Sequence, residues 1–473
     1  MADISQIQNG ESMTLRDQLA LTIKLSLPAI LAQLSSILMQ YIDAAMVGRL
    51  GANDSAAIGL VSTSLWLFWG ICGAMTNGFT VQVAHRIGAK DEEGARAVLR
   101  QGVTSALIFS SIVSIIALLI SESLPVWLGG GSEICGKSTS YFAIYVMALP
   151  MLTMNFLAGG MLRSVGNIKI VGILNVLMAI LDVIFNFFLI FSSRTECIFG
   201  IDIEIPGAGL GLRGAALGTV LAEIITASLM CYVLFSRQKE IRLKGHSGSW
   251  KPNRNILSRA IKISTPLTIE HAVLCGAQVM VTIIVAPLGV VAIAANAFGI
   301  TIESLCYMPG YGIGEAAMTL TGQSYGAKRY DLAKRFGYIT VAMGMFVMTI
   351  MGLIMYLTAD ITFALMTDVA AIRQIGAEVL RIEAYAEPMF ASAIVAYGVM
   401  VGVGDTLIPA MMNFGSIWLV RIPLAAIFAP IMGLKGVWIA MCIELCVRGA
   451  VFLYRLVSGK WIKPSKELSQ TIK

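Results

Sequence analysis

Charged side chains are scarce in this sequence. Of its 473 residues only 13% are Asp, Glu, Lys or Arg and 57% are hydrophobic, whereas soluble domains carry about 25% charged residues. A water-soluble chain of this composition would lack the polar side chains needed to face water. Apolar runs such as 106–120 and 340–358 approach the roughly 20 residues that a membrane-spanning helix needs. The composition therefore predicts a multi-pass membrane protein.

Histidine and paired cysteine are also nearly missing. The three histidines are His85, His246 and His271, and none of the eight cysteines belongs to a C-x-x-C pair. No group has the spacing of a zinc site, so we expect no metal. We expect His85 and His246 at the cytoplasmic surface, while His271, which follows a glutamate, is a candidate proton relay. Cys135 and Cys197 fall in predicted polar loops. The polar N-terminus contains no A-x-A-like cleavage site, so we expect no cleavable signal peptide.

The apolar runs predict twelve spans and little else. The predicted spans are 17–43, 56–82, 98–120, 140–160, 169–192, 214–236, 259–287, 293–322, 337–358, 376–400, 408–431 and 436–457. Lys and Arg concentrate in the loops on the side of the N-terminus, which predicts cytoplasmic N- and C-termini in an inner or plasma membrane. We expect an N-terminal lobe at 1–236, a cytoplasmic linker at 237–258 and a C-terminal lobe with a basic tail at 259–473.

The two halves of the sequence repeat each other. At a constant offset of 238 residues, KLSLP (24–28) aligns with KISTP (262–266) and GAK (88–90) with GAK (326–328). A longer outer loop in the first half then changes the offset to 222. Because six spans is an even number, both copies insert the same way up. We therefore predict an all-α protein of two six-helix lobes, related by a parallel internal repeat, with a cleft between the lobes.

Two glycine-rich stretches match nucleotide-binding patterns. GSEICGKS (131–138) fits G-x-x-x-x-G-K-[ST], and GLGLRG (209–214) fits G-x-G-x-x-G. Both patterns require a strand before the loop and a helix after it, but both stretches lie in predicted outer segments between spans. We therefore expect no ATP binding. Any movement of solutes by such a membrane protein would then be driven by an ion gradient or be passive. The net charge of +6 follows from topology, and we expect no nucleic-acid partner.

Ionisable residues inside the spans break the repeat. Asp43 and Asp182 each align with a valine in the other half. A carboxylate at the bilayer centre costs about 2.5–3.5 kcal/mol, so such residues face the bundle interior and usually have a function. Together with neutral oxygens from Thr219 and Asn175, these two carboxylates suit either a proton or Na⁺.

The second half carries more unmatched groups. These are a second set of coupling candidates or a structural Arg–Glu network, and they comprise Glu270, Glu303, Glu315, Glu383, Glu387 and Arg421. Glu383 and Glu387 are spaced i, i+4, which predicts one face of a single helix, with Arg381 as a nearby cation. Glu444 and Arg448 have the same spacing, and we expect a structural ion pair there.

Methionine is abundant, at 26 residues. Flexible Met and aromatic side chains form an adaptable apolar wall, which together with a few carboxylates suits flat organic cations. The candidates for lining the cleft are Met46, Trp66, Trp69, Phe156, Met280 and Tyr307. Helix packing is the alternative role for each of these side chains.

Four stretches resemble a known family. DAAMVGRLG (43–51), GLRGAALGT (211–219), MPGYGIGEAAMTLTGQSYGAK (308–328) and EPMFASAIVAYGVMVGVGDTLIP (387–409) resemble the multidrug and toxic compound extrusion (MATE) family. The likeness covers nearly the whole chain. It implies an antiporter, coupled to H⁺ or Na⁺ and without another cofactor, that exports small organic and often cationic compounds by alternating access. It also implies that Asp43, Asp182 and Thr219 form the cation or proton site.

The chain departs from the family pattern at two positions near Asp182, one of which is Val183, where family members often carry Pro. Met178 stands where family members often carry Asn, which favours proton coupling without deciding between H⁺ and Na⁺. Two alternative functions remain. A lipid-linked oligosaccharide flippase would need a cationic cleft, and a membrane enzyme acting on lipids would need a metal or His constellation. We predict a transporter and not an enzyme.

Overall fold

The computed structural model describes residues 4–198 and 201–462. The first half comprises α1 (Ser5–Asn9), α2 (Leu15–Gly48), α3 (Ala52–Gly88), α4 (Glu92–Ile120), α5 (Leu124–Trp127), α6 (Ser132–Met147), α7 (Leu149–Ser164), α8 (Ile168–Ile190), β1 (Ser192–Ile198), β2 (Ile201–Ala208) and α9 (Leu212–Tyr232). The second half comprises α10 (Arg254–Val285), α11 (Val290–Gly326), α12 (Tyr330–Met366), α13 (Ala370–Ala384), α14 (Glu387–Gly402), α15 (Leu407–Ser416), α16 (Ile422–Met432) and α17 (Leu434–Ser458). A π-helical turn, Val233–Arg237, extends α9, and another, Ile417–Arg421, joins α15 to α16.

The helices account for the predicted twelve spans. Within the described residues, ten continuous helical segments are long and apolar enough to cross a membrane. Two bent pairs, α6 with α7 and α13 with α14, complete the set, with bends of 47° and 57°. Pro150 and Pro388 stand in the first turn after each bend. Proline lacks an N–H and its ring clashes with the preceding turn, so the helix breaks just before it.

Two predicted loops contain secondary structure instead. The segment near 193–213 forms an antiparallel hairpin, β1–β2, in which Ser192 lies opposite Ala208. The stretch 131–138 and Cys135 lie at the start of α6, not in a loop. A short helix, α5, precedes that stretch, so the strand that a phosphate-binding loop requires is not there.

The backbone repeats at the offsets seen in the sequence. The helices α3 and α11 start and end 238 residues apart, and so do α7 and α14. The same turns recur between the helices: Lys90 and Lys328 have φ of 60° and 59°, while Gly166 and Gly404 have φ of 89° and 87°. We call α2–α9 the first lobe and α10–α17 the second lobe. α3 of the first lobe packs along α10 of the second, and α2 packs along α11.

A wide apolar surface faces outward on both lobes. On α4 the exposed stripe is Ile108, Ile112, Ile115, Ile116 and Leu119, and on α12 it is Phe346, Ile350, Leu353, Ile354 and Leu357. Each α12 residue lies 238 positions after its α4 counterpart. Exposed patches this extensive are unusual on soluble proteins and mark a surface that meets lipid. The chain is a multi-pass membrane protein whose lipid-facing belt follows the repeat.

Candidate functional site

A cavity of about 430 Å³ lies within the first lobe. It is lined by α2, α3, α6, α7, α8 and α9, and one side chain of α11, Glu315, also reaches it. We call the end of the bundle with residues 238–253 the linker end and the opposite end, with β1–β2, the hairpin end. The cavity contains most of the first-lobe residues that the sequence singled out.

Asp43 and Asp182 meet beside this cavity through an asparagine that the sequence analysis missed. Asn186 Nδ2 donates to Asp43 Oδ1 at 2.8 Å and to Asp182 Oδ2 at 3.2 Å. Asp182 is fully buried, and its Oδ1 has no hydrogen-bond partner among the described residues. One amide therefore serves two carboxyl groups, and an acceptor oxygen in the pair remains unpaired.

The sequence of α8 explains this arrangement. After the exposed Lys169 in its first turn, the helix is apolar except for Asn175, Asp182 and Asn186. Spacings of seven and four residues place all three on one face of an α-helix, and α8 packs against α2 and α9. The polar stripe therefore points into the lobe, toward Asp43 on α2.

The two neutral candidates lie on the cavity wall. Thr219 and Asn175 both line it. Thr219 Oγ1 donates to the carbonyl of Ala215, one turn back on its own helix, at 3.2 Å. Asn175 makes no hydrogen bond to Asp43 or Asp182. The amide between these two aspartates belongs to Asn186, more than two helical turns after Met178 on α8. The amide predicted to assist the pair is therefore present but comes from a different residue.

Two further carboxylates line the cavity toward the linker end. Glu223 Oε2 accepts from Asn155 Nδ2 at 2.7 Å. Glu315 Oε1 lies 3.6 Å from Arg163 Nη1 and accepts from Gln33 Nε2 at 3.3 Å. Glu315 was predicted in a second-lobe set, but its side chain contacts the first lobe because α11 packs along α2. At the offset of 222, Glu223 aligns with Leu445, so the loss of repeat symmetry at that position could have identified it.

The aromatic candidates divide between the cavity and the helix packing. Trp66, Trp69 and Phe156 line the cavity, and Tyr141 and Tyr145 join them. Trp66 and Phe156 remain 59% and 41% exposed, so their ring faces are accessible. The other three candidates do not line this cavity. Met46 packs into a first-lobe core cluster, Tyr307 packs edge-on against Phe390 in the second lobe, and Met280 lies elsewhere on α10.

Glu270 has two neutral partners in the second lobe. Its carboxylate accepts from Tyr397 Oη at 2.6 Å and from Asn413 Nδ2 at 2.5 Å. Asn413 is the repeat counterpart of Asn175. His271, next along α10, contacts instead the carbonyl oxygen of Trp66, in the first lobe, at 3.0 Å. Successive helical residues point about 100° apart, so this pair does not form the relay that their adjacency suggested.

A buried ion-pair network occupies the rest of the second lobe. Glu444 pairs with Arg421 at 2.7 Å and with Arg448 at 2.8 Å, and it accepts from Ser416 Oγ at 2.5 Å. The predicted ion pair between Glu444 and Arg448 is therefore present, and Arg421 joins it. Arg381 instead pairs with Asp360 at 2.5 Å near the surface, so it does not serve this interior.

Three more carboxyl groups lie in this interior. Glu303, Glu383 and Glu387 are all buried. The prediction that Glu383 and Glu387 share one face of a single helix is wrong, because the bend before Pro388 places them in different helices, α13 and α14. None of their four carboxyl oxygens has a hydrogen-bond partner among the described residues. Across residues 4–198 and 201–462, no group of three or more His, Cys, Asp or Glu side chains is arranged to hold a metal ion.

His85 is buried between the lobes at the linker end, so its predicted surface position is wrong. Its Nε2 lies 2.9 Å from the carbonyl oxygen of Gly402, and its Nδ1 lies 2.9 Å from Arg259 Nη2. A carbonyl only accepts and a guanidinium only donates. The imidazole is therefore neutral, with its proton on Nε2, and it joins α3 to the second lobe.

The repeat supplies a second contact of the same kind. Gln323 is the counterpart of His85, and its Nε2 donates to the carbonyl of Ser164 at 2.7 Å. Ser164 and Gly402 are themselves counterparts. We call the contacts His85–Gly402 and Gln323–Ser164 the interlobe latch. They lie where α3 and α11 cross at Gly88 and Gly326, and a Cβ at either glycine would overlap the backbone of the other helix.

Comparison with known proteins places this architecture in a family. A family model described as MatE matches residues 28–188 and again residues 266–427. The chain belongs to the MatE family. The two matched segments begin at Pro28 and Pro266, which are counterparts in the repeat, so each lobe is one copy of the family unit.

Related proteins and structures agree with this membership. The chain is 27% identical over 447 residues to a "Probable multidrug resistance protein NorM" of Thermotoga maritima, covering 93% of this chain and 92% of the relative. It is 26% identical to a protein of the same name from Pseudomonas aeruginosa, and that alignment covers 89% of this chain and 85% of the relative. A crystal structure of MATE in complex with MaD3S superposes with a TM-score of 0.85 at 21% identity, covering 97% of this chain and 99% of the other. This MatE chain thus has the twelve-helix MATE fold.

Proposed function

We propose that this chain is a secondary active multidrug efflux transporter, and not an enzyme, that exports small organic cations in exchange for H⁺ or Na⁺. Its relatives carry the name multidrug resistance protein NorM. The first-lobe cavity of about 430 Å³ falls in the size range of small-molecule sites. Its aromatic and carboxylate lining suits compounds that are flat and positively charged.

The observation that carries the coupling proposal is the pair Asp43 and Asp182. Both accept from the single amide of Asn186, and Asp182 retains a buried oxygen without a partner among the described residues. Two carboxylates this close repel each other unless a proton or a cation neutralises one of them. We assign this pair as the H⁺ or Na⁺ site, with Thr219 and Asn175 on the wall beside it. No other cofactor enters the mechanism.

Ion binding at this pair would act on helix packing. Asp43 is on α2, while Asp182 and Asn186 are on α8. Neutralising the pair removes the repulsion between these helices and lets them pack more closely, which alters the cavity from which substrate leaves. A tenfold ion gradient supplies about 1.4 kcal/mol per ion, and the membrane potential adds about 2.3 kcal/mol per charge for each 100 mV.

Alternating access requires the interlobe latch to open and close. His85–Gly402 and Gln323–Ser164 hold the lobes together at the linker end, which we assign to the cytoplasmic side of a bacterial inner membrane, with both termini in the cytoplasm. Separation of the lobes there would break both contacts and admit substrate from the cytoplasm. The buried carboxyl groups of Glu303, Glu383 and Glu387, together with that of Glu270, are a second candidate site for coupling protons.

A flippase for lipid-linked oligosaccharides remains the alternative, and the cavity chemistry is unfavourable to it. Pyrophosphate recognition needs cations, but among the described residues Arg163 is the one cationic residue that lines the cavity, and it lies beside Glu315. Three carboxylate residues line the same cavity.

The proposal is tested by ethidium uptake into proteoliposomes under a pH gradient alone and then a Na⁺ gradient alone. We expect one gradient to drive accumulation by the wild type and Asp43→Asn to abolish it, because the substitution removes one charge of the pair. Asp368→Asn, at a fully exposed aspartate, is the matched control and should behave as wild type. If neither gradient drives uptake by the wild type, the antiporter proposal fails.

A further inference from the structure

The carboxylates that line the first-lobe cavity differ in how they are neutralised. Asp43 belongs to the pair bridged by Asn186. Glu315 has a guanidinium, that of Arg163, 3.6 Å away and also accepts from Gln33. Glu223 accepts from a neutral amide, that of Asn155, and forms no ion pair with any described residue. The hydrogen-bond partner of Glu223 is therefore a neutral amide, and not a cation or a bridged carboxylate.

The surroundings of Glu223 also suit a ligand. Asn155 donates to it with Nδ2, but Asn155 Oδ1 is buried and unpaired among the described residues. Phe156 follows Asn155 on α7, and its partly exposed ring lines the same cavity as Trp66. A carboxylate next to accessible aromatic faces is the combination that recognises organic cations, because the rings attract positive charge through their π faces.

We propose that Glu223 is the anchor for the positive charge of the transported compound, while the Asp43–Asp182 pair holds the coupling ion. This assignment rests on the proposed export of organic cations and divides the cavity into two subsites. Thr219 is one turn before Glu223 on α9, so the anchor lies on the same helix face as the coupling site, toward the linker end. A substrate bound at Glu223 would act on the Asp43–Asp182 pair through the electric field of its positive charge. It would not displace the coupling ion.

The test uses two probes of similar shape, the tetraphenylphosphonium cation and neutral triphenylphosphine oxide. Their binding to the purified full-length protein is measured by titration calorimetry for wild type, Glu223→Gln and Glu223→Asp. Glutamine keeps the length of the side chain and its acceptor for Asn155 but removes the charge. We expect Glu223→Gln to weaken binding of the cation by about 10- to 100-fold, the range for a lost charged contact, and to change binding of the neutral probe less than about twofold. Glu223→Asp should restore part of the affinity.

Controls separate this proposal from the function on which it rests. Glu122→Gln, at an exposed turn, should bind both probes as wild type does. Equal binding of the cation by wild type and Glu223→Gln overturns the anchor while leaving export of organic cations intact. Loss of cation affinity in Asp43→Asn but not in Glu223→Gln would place the charge at the coupling pair and overturn the division into two subsites. Failure of the wild type to bind either probe overturns the multidrug proposal itself.

Transport kinetics give an independent readout. In proteoliposomes Glu223→Gln should raise the KM for tetraphenylphosphonium while the maximal rate stays near that of wild type, because the coupling pair is intact. A residue that merely supports the fold would lower the maximal rate and the yield of protein for both probes alike, and that result would contradict the anchor role.

Discussion

Replacing His85 with alanine should open the linker end of the protein. The substitution removes the hydrogen bond to the carbonyl of Gly402 and the acceptor for Arg259, both at 2.9 Å. A buried hydrogen bond contributes about 0.5–1.5 kcal/mol net, and a buried polar group left unpaired costs about 1–3 kcal/mol. In an open conformation water reaches the carbonyl, so this cost applies to the closed conformation alone.

The expected shift is large enough to measure. A loss of about 2 kcal/mol from the closed conformation moves the closed-to-open ratio by about 30-fold. Spin labels at Glu93 and Asp331, which are exposed and are counterparts 238 positions apart, report the separation of the lobes by pulsed electron resonance in a cysteine-free background. His85→Ala should add a long-distance population that the wild type lacks.

The repeat itself provides the matched control. Gln323 makes the equivalent contact with a glutamine side chain, so His85→Gln keeps a donor for the carbonyl of Gly402 and should retain the short distance. If His85→Ala gives the same distance distribution as wild type, the latch does not hold the lobes together and the reasoning fails. If His85→Gln opens the lobes as far as alanine does, the hydrogen bond to Gly402 does not hold them together, and the imidazole's contacts with Arg259 and with the ring of Tyr325 do.

Two further predictions concern stability, measured by thermal unfolding in detergent. Glu444→Gln removes the buried charge that Arg421 and Arg448 share and should cost about 3–5 kcal/mol. Glu378→Gln breaks the exposed pair with Lys435 and should cost about 1 kcal/mol or less. Similar losses in the two variants would refute the assignment of a buried network around Glu444. Gly312→Ala would put a Cβ 2.6 Å from a backbone nitrogen of α2 and should lower the unfolding temperature. The control is Gly415→Ala, where the added Cβ meets open space. That substitution should leave stability unchanged or raise it by about 0.5–1 kcal/mol. A Gly312→Ala protein as stable as wild type would contradict the close packing of α2 on α11.

The spans and the repeat were predictable because they depend on local composition and on a constant offset. Pro150 and Pro388 are counterparts in the repeat and proline favours a kink, but span 376–400 was predicted as one continuous helix, so the consequence for Glu383 and Glu387 was missed. The i, i+4 rule applies within a continuous helix, and a break between two residues changes the direction of each side chain. The β1–β2 hairpin was missed because its two short strands lack a pattern as clear as the long apolar runs that predict the spans.

The candidate site was partly predictable for a related reason. Asp43 and Asp182 were identified as charges without counterparts, and the same reasoning applied to α9 would have found Glu223. The position of Glu315 was not available from the sequence, because a helix face does not reveal which lobe packs against it. His85 was assigned to the surface since it lies near the end of a span, and its burial depends on how the two lobes meet at the linker end.

Symmetry and asymmetry have different roles in this molecule. Two features that join the lobes at the linker end come in pairs: the crossing of Gly88 with Gly326, and the latch contacts of His85 and Gln323. In both latch contacts the acceptor is a backbone carbonyl, which substitution of side chains on α7 or α14 does not remove. The strength of the latch is therefore set by the donor side chains at the two counterpart positions. The carboxylates of the cavity have no such pairing. Glu223 makes its hydrogen bond within the first lobe, so a change of charge at that position can alter what the cavity binds without touching the latch.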